Sequence, residues 1–193
     1  MQVSVTRAAA DVDVAAQLWA EATAARDGED EVAGLAESRP IIQGVLDRSP
    51  DSFVLLGTFG HGMPGAFAAV APIRERVAEL VYFGVSPHPL GLGAGRELLG
   101  ELQTRLQALG YDRAELSVYT DNVRAIRLYE RLGWRAYGDP VPHRRTGRPE
   151  QRYRLSLGTR GMRQSPSTSL ASWPNQPGEL SPPSQSGIAG PRG

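Results

Sequence analysis

Three glycines lie where an apolar run gives way to a leucine-striped segment, and their position suits the binding of a phosphorylated ligand. Residues 79–85 are almost continuously apolar, which predicts a strand buried on both faces. The leucines that follow recur at three- and four-residue steps up to Gly110, which predicts a helix. Gly91, Gly93 and Gly95 then fall on the turn that opens this helix. Unpaired N–H groups and the positive end of the helix dipole can hold a pyrophosphate there.

The glycine spacing alone does not identify the ligand. A dinucleotide-binding turn has the pattern G-x-G-x-x-G, and here the third glycine comes one residue early. A P-loop requires a lysine after its last glycine, and the chain contains no lysine. On this segment alone, a tight strand-to-helix turn without any ligand remains an open alternative.

A second segment, residues 120–134, places an amide and a phenol on one side of another predicted helix. Asn122 and Tyr129 are seven residues apart, which is nearly two helical turns, and Ala125 lies between them. That side of the helix therefore offers two polar groups with a small residue in the middle. In isolation, the same residues also suit an ordinary packed helix.

In this order and at this separation, the two segments resemble the motifs of the GNAT superfamily of acetyl-coenzyme A-dependent N-acetyltransferases. The first resembles the coenzyme-binding turn of that family, in which a V-x-P strand end leads into R-G-x-G-x-G/A. The second is similar to its N-x-x-A-x-x-L-Y-x-x-L-G-F/W helix. The matching residues of that helix are Asn122, Ala125, Leu128, Tyr129, Leu132, Gly133 and Trp134. The resemblance extends over residues 1–158, and its specific part is confined to 79–134.

The resemblance implies that acetyl-coenzyme A is the co-substrate. The residues that it implies for coenzyme binding are Phe83, Val85, Gly91, Leu92, Gly93, Ala94, Gly95, Arg96 and Asn122. It also implies that the pantetheine lies beside Phe83–Val85, where two central strands separate. Gly84, in an otherwise bulky strand, predicts a bulge or a close approach of the backbone. Leu90 stands where the family usually has arginine or glutamine, so a contact worth about 1.5–3 kcal/mol is missing unless Arg96 replaces it.

Two catalytic residues are also implied by the resemblance. Tyr129 matches the tyrosine that protonates the leaving thiolate, and a phenol with a pKa of about 10 can donate a proton at neutral pH. An orienting role for Tyr129 stays open. Glu79 matches a glutamate that frequently deprotonates the amine through water, and a solvated Glu79 at an exposed strand start is the open alternative. Tyr82 is expected on the strand face opposite Glu79.

Length and composition predict one domain, residues 1–158, followed by a tail, residues 159–193. The chain has 193 residues, and its 21 basic and 21 acidic residues cancel, so no overall charge favours nucleic acid as a partner. It has no cysteine, which excludes disulfides, a cysteine nucleophile and thiolate metal sites. Residues 159–193 are rich in serine, proline and glycine, which predicts a disordered tail.

The remaining sequence features predict a cytoplasmic protein with no metal and no membrane partner. No apolar stretch approaches the roughly 20 residues that span a bilayer, and the N-terminus lacks a signal-peptide pattern. His61, His88 and His143 are too scattered for metal-ligand spacing. The basic run of residues 143–148 is typical of a solvated loop or of a site for an acidic acceptor or a coenzyme phosphate.

The predicted elements give an α/β fold with a mixed, partly antiparallel central sheet flanked by helices. The predicted strands are 2–8, 53–59, 66–73, 79–85, 114–119, 134–137 and 152–157, with a hairpin turn at 60–62. The first predicted helix begins at Asp11 or Asp13, and the second lies near residues 41–46 and is interrupted by Pro40. The third follows the glycine turn, and the fourth begins at a cap, Thr120 or Asp121, and ends at Gly133. This order agrees with the GNAT fold that the resemblance implies.

Three functions are compatible with the sequence. The first is an enzyme that transfers an acetyl group from acetyl-coenzyme A to a primary amine of a small molecule, a peptide or a protein N-terminus, by direct attack on the thioester. The second is a coenzyme A-binding regulatory or interaction module with little or no turnover, which Leu90 favours. The third, a nucleotide-binding Rossmann domain, is disfavoured by the glycine spacing. The resemblance also leaves a homodimer as an open expectation.

Overall fold

In the computed structural model, residues 1–87 and 93–158 are described, and they form a seven-stranded mixed sheet with helices on both faces. The predicted tail lies outside these ranges. So do the five residues 88–92 of the predicted glycine turn and its flank, among them His88, Leu90, Gly91 and Leu92.

The elements follow one another largely in the predicted order. The strands are β1 (Gln2–Thr6), β2 (Phe53–Phe59), β3 (Met63–Arg74), β4 (Val77–Val85), β5 (Arg113–Tyr119), β6 (Arg135–Pro142) and β7 (Pro149–Ser156). The helices are α1 (Ala9–Asp27), α2 (Leu35–Leu46), α3 (Ala94–Ala108) and α4 (Val123–Arg131), and a 3-10 turn at Gly60–Gly62 joins β2 to β3. The strand order is β1-β2-β3-β4-β5-β7-β6. Only β4 and β5 run parallel among these neighbours, so the predicted mixed, partly antiparallel sheet is confirmed.

The sheet has a hydrophobic core on each face. On the front face, α1 and α2 pack over β2, β3 and β4, around the fully buried Phe67. On the back face, α3 packs over β2, β3 and β4 through Leu98, Leu102 and Leu106, as its leucine stripe predicts. Each of these leucines is almost completely buried, which is worth about 1.5–3 kcal/mol per side chain. None of the described helices is long and apolar enough to span a membrane.

Helix α2 shows where the sequence prediction was wrong. It begins at Leu35 and continues through Pro40, although the sequence predicted an interruption there. A proline inside a helix removes one backbone hydrogen bond. The burial of Ile42, Val45 and Leu46 on the front face offsets this cost. Helix α1 likewise begins at Ala9, ahead of the predicted start.

Strands β4 and β5 pair over a short distance and then separate. Three residue pairs join them, from Val77 with Arg113 to Glu79 with Glu115, and β4 then continues to Val85 without this neighbour. We call the space beyond the last pair the β4–β5 opening. The separation that the resemblance implies is thereby confirmed. Residues 81–83 are only half-buried, so the prediction of a strand buried on both faces was wrong for this part of β4.

A bulge at Val81 changes which side chains of β4 face the front. Leu80 pairs with Val70 and Tyr82 with the adjacent Ala69, so Val81 is an extra residue in β4. Ala78 and Leu80 belong to the back core, whereas Tyr82 packs in the front core. Glu79 and Tyr82 therefore share the front face, and the prediction that they lie on opposite faces was wrong.

Candidate functional site

The β4–β5 opening is lined on the back face by residues from three elements. A Cβ atom placed on Gly95 would lie 3.1 Å from Cγ2 of Val85, 3.2 Å from Cζ of Phe83 and 3.3 Å from Cδ2 of Leu128. The first turn of α3 thus touches both the end of β4 and helix α4. Phe83, Val85 and Gly95, three of the predicted coenzyme-binding residues, are brought together here.

The start of α3 leaves backbone donors without partners in the helix. Gly93 precedes the helix with a φ of 87°, in the left-handed region, and no side chain of the described residues caps the helix. The first hydrogen bond of the helix runs from the N–H of Glu97 to the carbonyl of Gly93. The N–H groups of Ala94, Gly95 and Arg96 consequently have no carbonyl within the helix to bind.

The predicted residues of this turn offer different groups. Ala94 is buried in the back core, so its side chain is not available to a ligand. Arg96 is exposed on the first turn, where its guanidinium can reach an anion. Gly91 and Leu92 lie outside the described residues, and their predicted contacts stay predictions.

Asn122 caps helix α4, which begins beside the carboxyl end of β5. Its side-chain oxygen accepts a hydrogen bond of 3.2 Å from the N–H of Ala125. The prediction that Thr120 or Asp121 caps this helix was therefore wrong, whereas Gly133, with a φ of 90°, follows its end as predicted. The cap holds the Asn122 oxygen, and the side-chain N–H groups remain as donors.

Tyr129 is a buried phenol in the back core, close to the end of β4. Its ring centroid lies 6.2 Å from that of Phe83 and 5.9 Å from that of Trp134, and 6% of the residue is exposed. Burial raises the pKa of Tyr129 above its ordinary value because it disfavours the phenolate. The phenol therefore stays protonated at neutral pH and is available as a proton donor.

Glu79 lies at the point where β4 and β5 separate, but on the front face. Its carboxylate forms an ion pair of 2.9 Å with Nη1 of Arg48, just beyond the end of α2. Its side chain is 31% exposed, so it is neither buried nor simply solvated. Glu79 and Tyr129 lie on opposite faces of the sheet, and the β4–β5 opening is between them.

A cluster around Arg148, which the sequence analysis missed, joins the ends of α1 and β5 to the β6–β7 turn. The Arg148 guanidinium contacts Asp27 at 2.8 Å and Asp121 at 2.9 Å, and it lies 4.1 Å from the ring centroid of Tyr119. We call Asp27, Tyr119, Asp121 and Arg148 the Arg148 cluster. Arg148 belongs to the basic run that predicted a solvated loop or an anion site, and it is instead bound within the protein.

The electrostatics of the Arg148 cluster keep it intact over a wide pH range. Hydrogen bonds from Arg26 and Arg148 lower the pKa of Asp27 to about 2. A carboxyl group with a lowered pKa stabilises the folded state above its unfolded pKa, and that stabilisation is lost progressively as the pH falls from the unfolded pKa of 3.8 through about 2. The link between α1 and the β6–β7 turn is therefore ionic throughout the neutral range.

Among the described residues, His143 and the acidic side chains do not form a group that could hold a metal. Instead, Nδ1 of His143 forms a hydrogen bond of 3.0 Å with Oγ1 of Thr146, and the His143 ring lies beside the ring of Tyr119. His143 thus shapes the β6–β7 turn. His88 lies outside the described residues.

The chain matches one family of known proteins over most of its described length. The sequence profile of the Acetyltransferase (GNAT) family matches residues 11–134. The mycothiol acetyltransferase of Geodermatophilus obscurus is 38% identical over 71 residues, which are 37% of this chain and 23% of that protein. The mycothiol acetyltransferase of Acidothermus cellulolyticus is 34% identical over 99 residues, which are 51% of this chain and 27% of that protein. The chain therefore spans about a quarter of the length of these curated relatives.

Solved structures match over a larger part of the chain. The ribosomal-protein-S18-alanine N-acetyltransferase of Escherichia coli has a TM-score of 0.63 at 20% identity, over 85% of this chain and 99% of that one. A GNAT superfamily phosphinothricin acetyltransferase from Sinorhizobium meliloti, solved in complex with AcCoA, has a TM-score of 0.61 at 21% identity. That match covers 86% of this chain and 94% of the other. Structural similarity at 20–21% identity shows that this chain shares its fold with these proteins.

Proposed function

We propose, because this chain belongs to the acetyltransferase (GNAT) family, that it transfers an acetyl group from acetyl-coenzyme A to a primary amine. The observation that carries this proposal is the β4–β5 opening beside the first turn of α3. The opening provides a passage through the sheet, and the first turn of α3 provides hydrogen-bond donors for a pyrophosphate. We assign the reaction to residues 1–158 and none of its steps to residues 159–193.

The residues around the opening fit acetyl-coenzyme A. An added Cβ atom on Gly93 would have no atom of the described residues within 4 Å, so these residues leave the space next to the helix start open for a ligand. We propose that the amides of residues 91–96 hold the pyrophosphate and that Arg96 adds a charge-assisted contact. Phe83 and Val85 would line the pantetheine path, and Asn122 would donate its side-chain N–H groups to it. When bound, acetyl-coenzyme A supplies the acetyl group as a thioester.

The two predicted catalytic residues suit the two sides of the sheet. We propose that Glu79, on the front face, removes a proton from the amine, directly or through water. Tyr129, on the back face beside Phe83, would donate the proton that the leaving thiolate needs. In this arrangement the amine approaches from the side of α1 and α2, and the coenzyme from the side of α3 and α4.

The acceptor is less constrained than the coenzyme. The matched mycothiol acetyltransferases are about four times longer than the segment they share with this chain, so their acceptor is not carried over. The front side of the opening adjoins the half-buried Trp19 and Tyr82, whose ring centroids are 6.1 Å apart, and the Arg148 cluster. We propose a small-molecule or peptide amine as the acceptor, and a homodimer stays an expectation of the resemblance.

Replacing Gly93 with glutamate is expected to weaken acetyl-coenzyme A binding about 10- to 30-fold. The new side chain strains a backbone at a φ of 87°. Its carboxylate also competes with the pyrophosphate for a site that favours anions by roughly 1–2 kcal/mol. Isothermal titration with acetyl-coenzyme A measures the affinity, and assay with a panel of amines measures turnover. Wild-type binding without turnover on any amine would favour the coenzyme-binding module instead.

Gly110→Glu is the matched control for this titration. Gly110 has a φ of 83°, has equally open space around it, and lies just past the opposite end of the same helix. We expect Gly110→Glu to bind within about threefold of the wild-type protein, because it lies at the end of α3 opposite the proposed coenzyme site. Equal losses in both variants would contradict a coenzyme site at the start of α3.

Replacing Glu79 with glutamine is expected to slow turnover at least about 10-fold at pH 7, because the amine then has no carboxylate to accept its proton. The defect should shrink as the pH rises, because more of the amine is already neutral. Arg48→Gln separates the proposed role from a structural one, because it breaks the same ion pair but keeps the carboxylate. Equal defects in the two variants across the pH range would mean that the ion pair, rather than a base, is what matters.

A further inference from the structure

The front face of β5, β7 and β6 carries exposed arginines, and none of the described helices packs over it. Helices α1 and α2 pack over β2, β3 and β4. On β5 and β7 the back-facing side chains, such as Leu116, Tyr153 and Leu155, are buried in the back core. The alternate side chains point to the front, where Arg152, Arg154 and Arg135 of β6 are exposed. We call these three arginines the arginine face.

The strand register brings the three guanidinium groups close together. Arg154 pairs directly with Arg135 on one side and with Glu115 on the other. Arg152, two residues before Arg154, pairs with Tyr137 and Ser117. Neighbouring strands are about 4.8 Å apart and alternate residues of a strand about 6.6 Å apart, so the three charges share a small area.

The nearest carboxylate does not neutralise the arginine face. Glu115 is 8% exposed, and its oxygens are taken by Arg74 and by the Tyr137 hydroxyl at 2.8 Å. Among the described residues, no carboxylate forms an ion pair with any of the three arginines of the face. Like charges directly opposite one another on paired strands destabilise a sheet. A protein of zero net charge therefore keeps a concentrated positive surface at a cost in stability.

We propose that the arginine face binds an extended acidic segment of a partner peptide or protein. Carboxylates at alternate positions of an extended segment repeat at about 6.6 Å, which is the spacing of Arg152 and Arg154. Guanidinium groups pair with carboxylates through two parallel hydrogen bonds. This binding goes beyond the proposed acetyl transfer and does not depend on it.

A short acidic segment fits the surface better than a long polyanion. Glu150 pairs with Tyr119 one step further along β7, on the same face, and so places a negative charge at the border of the arginine face. With a net charge of zero, the protein also gives no long-range attraction to nucleic acid. The positive charge of the arginine face is thus confined to a small area, and the negative charge of Glu150 lies at its border.

Fluorescence anisotropy with a labelled hexaglutamate peptide and the full chain tests the proposal. We expect Arg152→Gln with Arg154→Gln to weaken binding at least 10-fold, and Arg152→Lys with Arg154→Lys to keep part of it. The matched control is Arg105→Gln with Arg131→Gln, two exposed arginines on α3 and α4, which should stay within twofold. Raising the salt concentration from 50 to 300 mM should weaken wild-type binding, since the contacts are ionic.

Three results would overturn the proposal. The first is an equal loss of binding in the control pair. The second is tighter, variant-sensitive binding of a single-stranded oligonucleotide of equal charge, which would make nucleic acid the partner. The third is self-association of the wild-type chain in sedimentation that the Arg152→Gln, Arg154→Gln pair abolishes, which would make a second copy the partner. The melting temperature should be unchanged or slightly higher in this pair, because two like charges are removed, and this excludes misfolding as the cause.

Discussion

Replacing Tyr129 with phenylalanine is expected to slow turnover about 100- to 1,000-fold while leaving the affinity for acetyl-coenzyme A nearly unchanged. The ring keeps its contacts with Phe83 and Trp134, so the packing of the back core is preserved. The variant lacks only the hydroxyl that we propose as the proton donor, and general acid catalysis is worth about 100- to 10,000-fold. Steady-state kinetics with a saturating amine measure the effect.

The pH dependence gives a second test of Tyr129. Because burial raises the pKa of Tyr129 above its ordinary value of about 10, the phenol stays protonated up to at least that pH. Loss of the proton donor should therefore not lower the wild-type rate between pH 7 and about 10. An alkaline decrease within this range that disappears in Tyr129→Phe would contradict a raised pKa.

Tyr153→Phe is the matched control for Tyr129→Phe. Tyr153 is also buried in the back core, and its hydroxyl donates a hydrogen bond of 3.3 Å to Glu130. We expect this variant to turn over within threefold of the wild-type rate, because it removes a hydroxyl from the same core but not the proposed donor. If Tyr129→Phe falls within the same threefold range, Tyr129 only packs and orients.

Replacing Gly84 with alanine is expected to destabilise the fold by about 1–3 kcal/mol. A Cβ atom on Gly84 would lie 2.5 Å from Cε1 of Phe67 and 3.3 Å from the Cβ of Ala22. Phe67 is completely buried in the front core, so its ring has no free space to move into. At about 2–4 °C per kcal/mol, the melting temperature should fall by several degrees, which calorimetry measures.

Replacing Gly100 with alanine, which is the same chemical change as Gly84→Ala, is expected to stabilise the fold instead. Gly100 lies within α3, and an added Cβ would meet no atom of the described part of the chain within 4 Å. Alanine there should raise the stability by roughly 0.4–1 kcal/mol, because it restricts the unfolded chain without a clash.

In Gly84→Ala, adding Phe67→Leu should restore part of the lost stability. Strict additivity of the two changes would contradict the contact.

The order of elements was predictable because it depends on local patterns. The leucine stripe of α3 repeats with the period of a helix, the apolar run of β4 is short and continuous, and the left-handed Gly93 occupies a turn between them. The β4–β5 separation was an implication of the resemblance. No pattern in the two strands indicates at which residue their pairing stops.

Other features depend on distant residues and left no local signal. Asp27 and Arg148 are 121 positions apart in the chain, and nothing in either neighbourhood indicates their ion pair. The face of Tyr82 was misassigned because the bulge at Val81 is set by pairing with β3, not by β4 itself. The prediction for Gly84 was correct only as a close approach, since the bulge lies three residues earlier.

The early end of the β4–β5 pairing gives the sheet four edges instead of two. The last residues of β4 present unpaired backbone groups toward the opening, as an outermost strand does toward solvent. Such an edge is a template for any extended chain that carries amide groups, and here it lies inside the sheet rather than at its border. The same interruption that opens a passage through the sheet therefore also gives the sheet an internal edge to which an extended chain can add.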